Sequence, residues 1–99
     1  MKAKIYVVLR DYDNGEDYED RYTVNREFVA VSGSKEEAHK AIWAQVSAIT
    51  EPYDQDNEDD YLIAGGHKAN KVTVEEKTFY NVTATTEFYI EEKEVEIPD

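Results

Sequence analysis

SKEEAHKAIWAQVSAIT, residues 34–50, has a helical period, and the segments to either side of it alternate or break. Ser34 followed by Glu37 fits a capping box, in which the serine accepts from the third helical amide and the glutamate reaches back. Gly33 is the loop before it. Ala38, Ala41, Ile42, Gln45, Val46 and Ile49 share one face, an apolar stripe wide enough to lie across a hairpin. Trp43 falls about 100° from Ile42, at the margin of that stripe, with His39 one turn earlier. A tryptophan in that place either covers the core edge or anchors a partner.

On the N-terminal side, Ala3 to Asp11 is rich in β-branched and aromatic residues, with Ile5, Val7 and Leu9 on one face and Tyr6 and Val8 on the other. Asn14-Gly15 signals a hairpin, and the acidic residues around it point to a loop wider than two residues. The return strand runs within Tyr18 to Val31, where a bulge would turn both Tyr22 and Val29 toward the core. Beyond the helix, Pro52 stops the pattern, and 50–70 reads as an acidic loop or insertion with Tyr61-Leu62-Ile63 tucked back and a turn at Gly65-Gly66. Two further strands follow, Lys71 to Val82 and Thr86 to Ile97, linked at Asn81 to Thr86. The expected fold is α+β in the order β-β-α-β-β: an antiparallel sheet of about four strands with one helix packed on it.

A chain of 99 residues buries roughly 60 to 70% of its unfolded surface, enough for one core, so 1–99 is expected to be a single domain. Hydrophobic residues make up 40% and aromatic residues 12%, which supplies that core. With no cysteine, disulfides, thiolate metal sites and cysteine nucleophiles are excluded. The opening MKAKIYVVLRDYD has too short an apolar run for a signal peptide or a membrane span, so a cytoplasmic protein is expected.

IYVVLRDYDNGEDYED at 5–20, FVAVSGSKEEAHKAI at 28–42 and FYIEEKEVE at 88–96 resemble small acidic phage- or prophage-encoded proteins of unknown function. The shared features are a tyrosine-containing hairpin, a strand leading into a Ser-Lys-Glu-Glu-Ala helix start, and an acidic final strand. The resemblance covers about half of the chain and implies a fold. It brings no catalytic residues, and 51–82 departs from it as an insertion.

The charge is what remains to be explained. DYDNGEDYED at 11–20 has six carboxylates, EPYDQDNEDD at 51–60 has six more, and the formal net charge is -12. Such a surface favours cationic partners and repels nucleic acid and anionic membranes. Neither cluster is a calcium loop. Counting from Asp11, the sixth and twelfth positions are Glu16 and Tyr22; counting from Asp54, they are Asp59 and Gly65, where the site needs Gly and Glu. His39 and His67 match neither zinc spacing nor a triad, and the clustered carboxylates give no sign of the raised pKa that acid catalysis requires.

No enzyme, metal or cofactor is therefore expected. The leading expectation is a non-enzymatic inhibitor that binds a basic surface by resembling nucleic acid. Its partner would be a basic protein such as a host nuclease or a nucleic-acid-binding defence protein. The residues assigned to it are Asp11, Asp13, Glu16, Asp17, Glu19 and Asp20, then Asp54, Asp56, Glu58, Asp59 and Asp60, with Trp43 at a possible apolar margin. Glu92, Glu94 and Glu96 would add carboxylates about 6.8 Å apart along one strand face, against one phosphate per 3.4 Å in each strand of a duplex. The alternatives are a small-ligand or divalent-ion module walled by Trp43 and Gly65-Gly66-His67, a homo-oligomer paired through edge strands, or a phage structural protein whose acidity only serves solubility.

Overall fold

A computed structural model describes residues 1–16, 18–53, 60–77 and 83–98. Their elements are β1 (Lys2–Asp13), a 3₁₀ turn (Tyr18–Asp20), β2 (Thr23–Ser32), α1 (Lys35–Thr50), β3 (Asp60–Ala64), β4 (Lys71–Lys77) and β5 (Thr83–Glu96). All the strands pair antiparallel in one sheet of spatial order β2-β1-β5-β4-β3.

This corrects the expected β-β-α-β-β sheet of about four strands. There are five, the chain order is β-β-α-β-β-β, and the additional strand lies in the segment read as an acidic loop. β3 pairs only with β4, from Asp60 opposite Lys77 to Ala64 opposite Thr73. An edge strand has few neighbours to bury against, and Leu62 remains 66% exposed, so its hydrophobic pattern is weak. β5 begins at Thr83 rather than at the expected Thr86. β4 is described from Lys71 to Lys77, and its expected continuation to Val82 lies outside the described residues.

α1 begins as expected: Ser34 is the N-cap and its Oγ accepts from the Glu37 amide at 3.2 Å. The Glu37 carboxylate lies 3.5 Å from Lys40 Nζ. Ser34→Ala should cost roughly 1 kcal/mol by uncapping one amide, read as a lowered denaturation midpoint with an unchanged slope. Ala38, Ile42 and Val46 pack from the helix onto Val8, Val72, Val74 and Phe88. Ala41 and Ile49 join the margin of this cluster.

β2 departs from regular pairing at two places. The register with β1 shifts between Val8 and Leu9 and again between Arg10 and Tyr12. The expected bulge is there, but it brings only Val29 to the core; Tyr22 is 60% exposed. At the second shift Arg26 takes a left-handed φ of 55°, and its amide donates to Asp11 Oδ1 at 2.8 Å.

Candidate functional site

Antiparallel register decides which loops share an end. Asp13 pairs with Thr23 and with Thr85, Lys77 pairs with Thr83, and Asp60 pairs with Lys77. The hairpin loop after β1 and the entry to β3 are thus at the same end of the sheet. Tyr53, just past α1, reaches this end as well: its hydroxyl donates to Glu76, and its ring lies 5.5 Å from that of Tyr61. The described residues that flank the two acidic segments, Asp13 and Thr23 for the first and Tyr53 and Asp60 for the second, stand at one end of the fold. Asp17, Asp54, Asp56, Glu58 and Asp59 lie outside the described residues, as does the side chain of Asp60.

The first acidic loop is braced by Asn14. Its amide donates to the Tyr22 carbonyl at 3.0 Å, and its side-chain Nδ2 donates to the Asp20 carbonyl at 2.8 Å. Its Oδ1 accepts from the amides of Glu16 at 3.1 Å and Tyr22 at 3.0 Å. Gly15 takes φ 72° at the bend. Glu19 and Asp20 stand exposed on the following 3₁₀ turn, while Glu16 is half-buried.

The other two acids of this group serve the fold. Asp13 accepts from the Gly15 amide at 2.9 Å and from Arg21 at 2.9 Å, and these donors hold its carboxyl below the usual range. Asp11 Oδ1 accepts from the Arg26 amide and, at 3.2 Å, from the Tyr89 hydroxyl. Burial, and then the Asp11 charge, push the Tyr89 hydroxyl up, so it stays a donor. Neither aspartate is a free recognition group.

The acidic face proposed along the last strand is largely answered by cations. Glu92 lies 3.7 Å from Lys4 Nζ, Glu94 3.9 Å from Lys2 Nζ, and Glu96 3.7 Å from the N-terminal ammonium. Glu91 meets Arg26 at 2.8 Å, which holds its carboxyl low. Pairing removes the like-charged row that a phosphate track would need.

The acidic end also carries a hollow of about 420 Å³, walled by Asp11, Asp13, Glu87 and Arg21 with Tyr12, Thr23, Asn25 and Thr85. Its three carboxylates are all engaged: Asp13 by Arg21, Glu87 by Lys71 at 3.2 Å, and Asp11 by the Arg26 amide and Tyr89. Burial, followed by the charges of Glu76 and Asp13, raises the pKa of Tyr12, as expected in a negative surrounding.

Trp43 belongs elsewhere. It packs at the core margin and stacks on His67, with ring centroids 4.2 Å apart and planes at 29°. His67 sits on the turn between β3 and β4, at the opposite end from Asp60 and Lys77. The seven residues of β4 put this turn roughly 20 Å from the acidic end. Around the stack is a cleft of about 710 Å³ lined by Lys35, Glu36, His39, Lys40, Trp43, His67 and Lys68.

The sequence pairs Trp43 with His67 as a ligand wall and offers Lys68 only as a lone lysine beside Gly65-Gly66; Lys35 and Lys40 were not brought to it. The signal was there: Lys35, His39 and Trp43 follow one another at intervals of four, and side chains so spaced share a helix face. Among the described residues, no three His, Cys, Asp or Glu side chains are grouped to hold a metal ion. No described helix is long and apolar enough to cross a membrane. No family model, curated protein or solved structure matches the chain.

Proposed function

We propose that the chain is a non-enzymatic binding protein that docks a basic protein surface through the acidic end of its sheet. The observation that supports this is that the described flanks of two acidic segments, which begin 40 positions apart in the sequence, stand at one end of an antiparallel sheet. Loops used only for solubility need not share an end.

The free carboxylates of the first loop, Glu16, Glu19 and Asp20, project from a frame fixed by Asn14, so binding requires little reordering. The surface best suited to this charge is one that otherwise meets phosphates, and such a partner would have to release nucleic acid to accept the protein. A cytoplasmic phage-type inhibitor of a host nuclease or defence protein is one occupant of that role.

The test is a partner affinity measured across salt. Glu16, Asp17, Glu19 and Asp20 with Asp54, Asp56, Glu58, Asp59 and Asp60 are replaced by their amides. At roughly 0.2–1 kcal/mol for each exposed charge pair, affinity should fall tenfold or more while the melting temperature holds. The parent complex should weaken steeply with salt and be competed by duplex DNA. Asp11→Asn and Asp13→Asn should act differently, lowering stability because each removes a charged acceptor of a backbone amide. A partner held equally well at high salt and by the nine-amide variant would remove the acidic end from recognition.

A further inference from the structure

We infer that the cleft between the N-terminal half of α1 and the β3–β4 turn binds a small aromatic anion, a planar ring carrying phosphate or carboxylate. The site is independent of the acidic end.

Its charge runs against the rest of the molecule. Three lysines, Lys35, Lys40 and Lys68, line it against one carboxylate, Glu36, in a chain of net charge -12. Lys40 is shared with Glu36 and Glu37 at 3.8 and 3.5 Å. Lys35 and Lys68 have no carboxylate partner among the described residues, although carboxylates outnumber cations 23 to 11 in the chain. Two unanswered ammonium groups on facing elements form a place for an anion.

The floor of the cleft indicates acceptors and a ring. Trp43 Nε1 and His39 Nε2 are buried and have no hydrogen-bond partner among the described residues. An indole nitrogen can only donate, so the missing partner at Trp43 is an acceptor, which a cation cannot supply. Buried polar groups are nearly always paired, so an orphan beside a cleft points to a ligand atom. His67 and Lys68, both exposed on the turn, border the cleft beside these nitrogens. The Trp43–His67 stack provides an aromatic face on which a flat ring is held, and the lysines then hold the negative group at its edge. The cleft volume of about 710 Å³ is ample for such a molecule.

Trp43 is the sole tryptophan, so its fluorescence reports on the site directly. The full chain is titrated with AMP, adenosine, inorganic phosphate and benzoate, followed by fluorescence and by calorimetry. AMP should give a saturable fluorescence change and bind at least tenfold more tightly than adenosine or phosphate. Benzoate binding as tightly as AMP would also support the site and name carboxylate as its anion. His67→Ala, and the pair Lys35→Gln with Lys68→Gln, should each weaken AMP at least fivefold without lowering the melting temperature. The inference fails if no probe gives a saturable signal at millimolar concentration, if adenosine or phosphate alone matches AMP, or if the variants bind as the parent does.

Discussion

Phe88→Ala is expected to cost roughly 3–5 kcal/mol, the largest loss from any single truncation in this chain. Phe88 is the largest fully buried side chain among the described residues and has 0% exposure. It stands on β5, which pairs with β1 on one side and β4 on the other, and it shares a cluster with Val8, Ile42, Val46, Val72 and Val74. Truncation would open a cavity where three strands and the helix meet, and the flanking strands are too constrained by their ladders to close it. Domains of this size have about 5–15 kcal/mol in total, so the variant should be unfolded or nearly so at moderate urea. Phe28→Ala is the control: Phe28 is 61% exposed, and its loss should change stability by about 0.5 kcal/mol or less. Equal midpoints for the two variants would mean the core lies elsewhere.

Gly65→Ala should also be strongly destabilising, for reasons of backbone rather than core. Gly65 has φ 116°, and a Cβ there would stand 2.6 Å from the Lys71 carbonyl oxygen and 3.2 Å from Val72 Cα. The conformation alone costs roughly 1–3 kcal/mol for an L-residue, and the overlap is with backbone, which cannot rotate away. Gly66→Ala meets nothing within 4 Å and should be nearly silent. Since Gly65 closes the β3–β4 turn, its variant should expose β3 first, as faster amide exchange at Leu62 and Ile63. Uniform loss of protection across the sheet would mean that β3 is not a separable edge.

The parts of this fold legible in the sequence are those written locally. α1 has a cap, a stripe and a stop within 20 residues, and each of these signals depends on neighbours within one helical turn. β1 was legible because it is an inner strand with an unbroken run of β-branched and other apolar residues from Ile5 to Leu9. β3 was not, since an edge strand of five residues with exposed Leu62 lacks the pattern that burial imposes, and its acidic flank resembles a loop. The candidate sites divide in the same way. Acidic clusters are visible as composition, but that the strand ends flanking them share one end of the sheet is a property of register between strands far apart in the chain. That Asp11 is taken up by Arg26 and Tyr89 depends on a bulge and on a strand 78 positions away, which no local reading contains.

The central ladder has a kinetic consequence. β1 and β5 pair over their length, Lys2 opposite Glu96 through Asp13 opposite Thr85, so two neighbouring inner strands come from segments far apart in the sequence. The hairpin of β1 with β2 and the hairpin of β3 with β4 can each close over short loops. Neither gains a complete core until β5 arrives between them, because Phe88 fills the space both share. Bringing such distant segments together carries a loop-closure cost before any contact rewards it, which places folding toward the slow, nonlocal end of small domains. In a chain emerging from a ribosome, β1 and β4 each wait with an open edge until the last strand is made. The dense carboxylates at the neighbouring loops then act on the unfinished protein too, through charge repulsion between chains that share the same unpaired edges.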